Sequence, residues 1–237
     1  MGNCLNVLIQ TASEVAEAVE EQQQQQQQQQ TQPSGGGSAA PVAAQDGGPP
    51  RYSKLPPGAE RHSVRNVYDG DTLTLTDERR VRFLGIDTPE IKERQPYAQE
   101  AKDYTKSRCS GDVWLAFDGE REDHYGRLLA HVWVEENGSY LCVNEGIVAA
   151  GFASVYAPSK DKKTANYTTL LELQKRARDA GLGIHGSFED KVVVKTTNGS
   201  AYHVRSCEHL ANSHRLEELK VSEAQDVGLH PCRTCMS

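Results

Sequence analysis

The alternation of apolar and polar positions divides the chain into four stretches of different character. Between Asn6 and Glu20 the apolar residues Leu8, Ile9, Ala12, Val15, Ala16 and Val19 recur at helical spacing, which predicts a short amphipathic helix within an N-terminal segment, residues 1–20. The pattern then stops. A glutamine run from Gln22 to Gln30, followed by "TQPSGGGSAAPVAAQDGGPP", carries too little apolar surface to offset the entropy of ordering, so residues 21–60 read as a disordered linker. From 61 to 186 the pattern becomes globular. Strands are predicted at 62–68, 71–76, 80–87, 112–118, 128–134 and 139–142, and helices at 97–109, 143–150 and 164–180, the last closed by Gly181. Short strands first and helices after predict a β-rich α+β fold, a small barrel with about three helices packed on it. The remainder, 187–237, reads as a separate small unit in which "VVVKTTNGSAYHV" forms a hairpin around Asn198-Gly199.

One strand does not fit the simple pattern. In "RVRFLGIDTPE", Val81, Phe83 and Gly85 share one face, which leaves Arg82 beside Leu84 and Ile86 on the other. Both faces read as at least half buried. A charged residue there needs a partner or a purpose.

Composition narrows the reading. The 237 residues carry a formal charge of −7, which argues against a protein that holds nucleic acid by a broad basic surface, so any phosphate binding is local. The six cysteines, Cys4, Cys109, Cys142, Cys207, Cys232 and Cys235, stand singly except at the end, which suits a reducing compartment and not a disulfide framework. No apolar run approaches the length of a membrane span, and the start lacks the pattern of a signal peptide.

Three blocks carry candidate chemistry. "DGDT" at 69–72 is by itself good turn chemistry, and Asp87-Thr88-Pro89-Glu90 follows a buried strand. Two aspartates from adjacent strands and a nearby carbonyl make a hard oxygen site suited to Ca²⁺, and a glutamate beside it can orient or deprotonate water. In the third block, "DHYGRLLAHVWV", Gly126 permits a tight turn that places Arg127 at the mouth of the next strand. Guanidinium forks match phosphate oxygens and stabilise charge that builds in a transition state, which gives Arg82 its purpose. The plainer reading of each residue is a strand end, a turn cap or an ordinary ion pair.

The blocks "VYDGDTLTL", "VRFLGIDTPE", "QPYAQEA", "DHYGRLLAHVWV", "VNEGIVAAGFASVY" and "ARDAGLGIH" together resemble the staphylococcal nuclease (thermonuclease) family, over roughly 61–186. In plan the chain is most similar to plant membrane-anchored, calcium-dependent nucleases. The resemblance implies a five-stranded OB-fold barrel that hydrolyses DNA and/or RNA to 3′-phosphate ends. It further implies Ca²⁺ held by Asp71, Asp87 and the Thr88 carbonyl, Glu90 as general base, Arg82 and Arg127 on the phosphate, and Tyr125 and Tyr156 against the substrate. Two positions depart from the family pattern: His124 replaces a lysine and Ser154 a tyrosine. The alternative keeps the barrel and drops catalysis, as in nuclease-like barrels of the Tudor-containing multi-barrel family that act as nucleic-acid-binding or scaffold modules.

Both ends add chemistry. His203, Cys207, Cys232 and Cys235 offer one nitrogen and three thiolates, a set suited to tetrahedral Zn²⁺, with His209 as an alternative nitrogen ligand. This segment resembles small Cys/His zinc modules appended to bacterial nucleases. A unit so small lacks a sufficient core, so a metal would supply its folding energy. At the start, Gly2 suits myristoylation and Cys4 palmitoylation, and two chains anchor stably. The expectation is a monomer at the cytoplasmic face of a membrane, plasma membrane included, if acylated, and in the cytoplasm otherwise.

Overall fold

The computed structural model describes residues 48–159 and 162–236, with the backbone of 41–42. Gly2, Cys4 and the amphipathic segment expected over 6–20 lie outside the described residues. In chain order the strands are β1 (Pro41–Val42), β2 (Arg51–Tyr52), β3 (Glu60–Val67), β4 (Thr72–Leu75), β5 (Arg80–Phe83), β6 (Ile86–Asp87), β7 (Asp112–Ala116), β8 (Leu128–Glu136), β9 (Ser139–Cys142), β10 (Ser154–Val155), β11 (Val192–Thr196), β12 (Ala201–His203), β13 (Leu216–Lys220) and β14 (His230–Pro231). The helices are α1 (Ala98–Arg108), α2 (Val143–Ala149), α3 (Tyr167–Asp179) and α4 (Val221–Asp226).

Five strands close into a mixed barrel. Around the ring β8 pairs with β5 in parallel, β5 with β4, β4 with β3, β3 with β7, and β7 returns to β8. Alternating inward positions, Leu73 and Leu75 on β4, Val81 and Phe83 on β5, Val113 and Leu115 on β7, and Leu128, Ala130 and Val132 on β8, fill the interior. A one-residue slip of any strand would turn these side chains to solvent, so the alternation fixes the register. Helix α2 is buried over nearly its whole surface between the barrel, α1 and α3. Its Asn144 accepts from the Val132 amide (2.8 Å) and donates to the Leu84 carbonyl (2.9 Å), tying the turn after β5 to the central strand.

The strand expected over 80–87 is broken. Gly85 takes φ +76°, and a Cβ there would stand 2.8 Å from Leu170 Cδ1 and 2.9 Å from Thr164 Oγ1. The chain turns at this point, so that Ile86 and Asp87 leave the barrel ladder and pair with Val155 and Ser154 of β10. That turn carries Asp87 to the barrel's rim.

The linker expected to run to residue 60 also ends sooner. Tyr52 pairs with Tyr140 of β9, packs edge-on against Trp133 with ring centroids 4.9 Å apart, and donates its hydroxyl to buried Glu145 at 2.8 Å. An aromatic ring with a satisfied hydroxyl repays the ordering of its neighbours. Glu145 also accepts from Asn166 Nδ2 at 2.9 Å; burial holds its carboxyl above the ordinary range.

After α3, which Gly181 closes at φ +63°, the chain builds a four-stranded sheet ordered β13-β11-β12-β14. β11 and β12 form the hairpin expected around Asn198-Gly199. This module lies against α3. Buried Arg178 pairs with Asp226 at 2.7 Å and donates to Gln225 Oε1 at 3.1 Å, while Tyr167 donates its hydroxyl to the Gly228 carbonyl at 3.0 Å. No helix among the described residues is long and apolar enough to cross a membrane.

Candidate active site

The rim of the barrel gathers carboxylates from two adjacent connections. Asp69 and Asp71 stand in the tight turn between β3 and β4, and Asp87 follows the break at Gly85. The turn is packed from behind: a Cβ at Gly70 would lie 2.8 Å from Ala101 Cβ and from Thr88 Cγ2, and the Thr105 hydroxyl of α1 donates to the Gly70 carbonyl. Asp71 is thereby held in place. Its Oδ2 accepts from the Thr88 amide (2.9 Å) and the Thr88 hydroxyl (3.0 Å).

Arg82 lies between the two aspartates. Its Nη2 donates to Asp87 Oδ1 at 2.8 Å, and its Nη1 is 3.3 Å from Asp71 Oδ2 and donates to the Phe83 carbonyl at 2.7 Å. The arginine that broke the strand pattern is therefore the cation at the centre of the cluster. A second cation arrives from far along the chain: Arg233 Nη2 donates to the same Asp87 oxygen at 2.9 Å.

Glu90 follows Pro89 at the edge of the cluster, its amide fixed by Gln95 Oε1 at 2.8 Å. Burial, then the charges of Asp71 and Asp87, push its carboxyl above the ordinary range. The same causes act on its neighbours. Burial raises Asp87, and burial with the charge of Asp71 pushes Asp69 up to about 6. Four carboxylates facing Arg82 and Arg233 are short of positive charge, and the oxygen-rich donor set of Asp71, Asp87 and the nearby carbonyl fits a hard divalent cation. Asp69 and Glu90 open onto a shared cleft of about 190 Å³ flanked by Lys92 and Lys102.

The remaining predicted residues sit around this centre. Arg127 precedes Leu128, which pairs with Val81, so it emerges beside the start of β5. Its Nε and Nη2 hold Asp123 at 2.8 and 2.7 Å, not the central aspartates. Exposed Tyr125 stands in the turn, tilted at 42° against His124 with centroids 3.7 Å apart, and lines an open groove of about 570 Å³ with Arg79, Arg80 and Arg127. On the opposite side Tyr156, anchored by its amide on the Gly85 carbonyl at 2.9 Å, packs against His230 with centroids 4.8 Å apart. Ser154 faces Asp87 directly across β10 and β6.

The structure also draws His203, Cys207, Cys232 and Cys235 together, with all donor atoms within 4.8 Å of one another. His203 Nδ1 is 3.3 Å from Cys207 Sγ, and Cys207 Sγ is 4.0 Å from Cys232 Sγ. Thiolates around one zinc stand about 3.8 Å apart, so this set fits the ion with little adjustment. Burial works to raise the Cys232 thiol, but the amides of Thr234 and Cys235 aimed at its sulfur outweigh it and bring it below the ordinary value. His209 is turned aside to Thr234 Oγ1 at 2.9 Å, which leaves His203 as the nitrogen of the group.

Asp69 and Arg233 were missed from the sequence. Asp69 carried a signal, since "DGD" puts two carboxylates on one turn. Arg233 lies 146 positions from its partner, and nothing in "PCRTC" points to Asp87.

The fold and cluster define a class: a closed small barrel with acidic groups and an arginine on one rim, flanked by cationic and aromatic side chains. Comparison with known proteins gives the class its family. The staphylococcal nuclease homologue family matches residues 80–186. The thermonuclease of Staphylococcus intermedius is 36% identical over 147 residues, covering 58% of this chain and 83% of that protein. The SPbeta prophage-derived endonuclease YokF of Bacillus subtilis is 36% identical over 150 residues, and the match spans 56% of this chain and 50% of its own length. Endonuclease YncB of the same bacterium is 37% identical over 107 residues, 41% and 50% of the two chains. The chain belongs to the staphylococcal nuclease family and is a nuclease, a hydrolase of ester bonds.

Proposed function

We propose that this chain is a calcium-dependent nuclease that hydrolyses the phosphodiester bonds of DNA and/or RNA and leaves 3′-phosphate ends. The observation that carries the reading is the excess of carboxylate around Arg82 on the barrel's rim. Asp71, Asp87 and the Thr88 carbonyl would hold Ca²⁺, which when bound supplies a Lewis acid that offsets charge on the phosphoryl oxygens. Thr88 keeps Asp71 aimed by two hydrogen bonds, so one ligand is set before any ion arrives.

Glu90 takes the proton of the attacking water, and its raised proton affinity makes it a better base than an ordinary surface glutamate. As the new P–O bond forms, the bond to the 5′ oxygen breaks, and that oxygen leaves with the bonding electron pair and takes a proton from solvent, to which Glu90 afterwards returns the one it accepted. Arg82 holds the non-bridging oxygens, and Arg127, released from Asp123 by the competing phosphate, meets charge on the leaving oxygen. Tyr125 offers a face for a flanking base, and Tyr156, its ring covered by Arg233 and His230, lines the site where its hydroxyl can meet a phosphate, which tolerates either sugar and any sequence. At the other end, His203, Cys207, Cys232 and Cys235 would hold a structural Zn²⁺.

The test is cleavage of labelled single-stranded DNA and matched RNA by the full chain as Ca²⁺ is titrated and then removed with EGTA. Glu90→Gln and Arg82→Ala are expected to lower kcat by 10² to 10⁴-fold. Parent activity that survives EGTA, or variants that cleave at the parent's rate, would overturn the assignment. A folded chain that binds but never cleaves would instead be a nucleic-acid-binding module.

A further inference from the structure

The turn between Cys232 and Cys235 points a side chain into the rim cluster of the barrel. The backbone there is tightly held: the Cys232 amide donates to the Tyr202 carbonyl at 3.0 Å and the Met236 amide to the Cys232 carbonyl at 2.9 Å. From this turn Arg233 reaches Asp87 at 2.9 Å and lies over the ring of Tyr156, 5.0 Å from its centroid. Tyr156 in turn packs on His230, the residue before Pro231. Arg233, Tyr156 and His230 therefore form one ledge contributed by both barrel and module.

Arg233 is not the first cation on Asp87. Arg82 already bonds the same oxygen at 2.8 Å and is largely buried, whereas the Arg233 side chain is 66% exposed. A guanidinium that is exposed, laid on an aromatic face and positioned beside a phosphate site is matched to a phosphodiester backbone. The chain's net charge of −7 sharpens the point, since phosphate grip must come from a few placed cations.

We propose that Arg233 is a third substrate-binding arginine of the nuclease site, supplied by the Cys/His module, that grips a backbone phosphate beside the scissile one. The inference rests on the nuclease reading above. It gives the module a purpose: by fixing the Cys-x-x-Cys turn, the four-residue donor set fixes where Arg233 stands, and Tyr156 packs beneath its guanidinium. Asp87, if it held a cation, would release Arg233, whose guanidinium donors would then be available to phosphate.

The experiment measures binding of a labelled single-stranded oligonucleotide to the full chain carrying Glu90→Gln, at saturating Ca²⁺ over a series of salt concentrations. Adding Arg233→Gln is expected to weaken binding roughly tenfold and to reduce the slope of log affinity against log salt by about 0.7. Arg233→Lys restores the slope but not the whole affinity, because a point charge replaces a fork. Arg205→Gln, which removes an equal charge from an exposed pair with Glu218 in the same module, is expected to change neither. With Glu90 restored, Arg233→Gln raises KM and leaves kcat within about twofold. Unchanged affinity and slope in Arg233→Gln would overturn the proposal, and tighter binding would overturn it by marking Arg233 as a strap across the site. If the parent chain never cleaves yet Arg233→Gln still loses binding and slope, Arg233 stands and the nuclease reading falls. If the parent chain cleaves and Arg233→Gln matches it throughout, the reverse holds.

Discussion

The barrel and the C-terminal module differ in what holds them together. The barrel closes over a continuous apolar interior from Val67 through Phe83, Leu115 and Val132 to Leu173, with α1, α2 and α3 adding their buried faces. The module has only two small clusters, Val193, Tyr202, Val221, Ala224 and Leu229 on one side, and Val194, Cys207, Leu210 and Cys232 on the other. The second of these includes two of the four donors. A core of that size does not offset the entropy of its own chain, so the module relies on its contacts with α3 and, on the reading proposed above, on the zinc that its four donors would hold. The barrel's interior contains none of the four donors.

The sharpest way to break this contrast is Cys232→Ser. Structural zinc contributes on the order of 10 kcal/mol to small domains, so the substitution is expected to unfold the module while the barrel stays folded. Hydrogen exchange read by mass spectrometry separates the two: protection is lost across β11 to β13 and kept across β4, β5 and β8. Equal loss in both would show that the two fold as one unit. Phe83→Ala probes the opposite side of the comparison. Phe83 is 1% exposed at the centre of the barrel, and its truncation is expected to cost about 3–5 kcal/mol in a urea titration of the whole chain.

How much of this contrast was legible depends on the range of the interactions involved. Alternation over β4, β5 and β8 showed the barrel, because each inward residue there reports the core that faces it. The break at Gly85 was not legible as such: a glycine within an apolar run reads as strand until the neighbours of its Cα, Leu170 and Thr164, are known. Tyr52 lay in a stretch rich in glycine and proline, and composition there outweighed one aromatic residue whose partner, Trp133, is distant in sequence. At the site, Asp71, Asp87 and Glu90 were candidates by type and spacing, although "DGDT" alone also reads as a turn, and their roles came from the family resemblance. Arg233 did not, because only the docking of the module brings it to Asp87.

His185 sharpens the comparison at the join between the two regions. It is buried in the short turn after α3, with no hydrogen-bond partner for Nε2; burial, then the charge of Arg178, lowers its pKa to about 4. The fold therefore favours the neutral ring. As pH falls from about 6.5 to about 4 the unfolded chain takes up a proton that the folded chain refuses, so stability is present above this window and is lost within it, by up to about 3 kcal/mol. Urea titrations of the parent and His185→Leu at pH 7 and pH 4.5 check this, and the variant is expected to lose less stability between the two. An identical loss in both would place the acid sensitivity elsewhere.

The smallest effect tests whether the module is latched to α3 or merely rests on it. Tyr167 belongs to the barrel's core, yet its hydroxyl reaches the Gly228 carbonyl at 3.0 Å, and a Cβ on Gly228 would stand only 1.6 Å from that oxygen. The close approach is possible because Gly228 takes φ +78° with no side chain in the way. Tyr167→Phe keeps the ring in the core and removes only the bond, so barrel stability should hold while docking weakens by about 1 kcal/mol. Faster exchange in α4 and β14, with the barrel's strands unchanged, is the expected signature. If exchange in α4 stays at the parent's level, the remaining latch from Arg178 to Asp226 and Gln225 suffices to hold the module at α3. In that case the position of Arg233 at the rim is set by this buried arginine, and Arg178→Ala, not Tyr167→Phe, is the change that moves it.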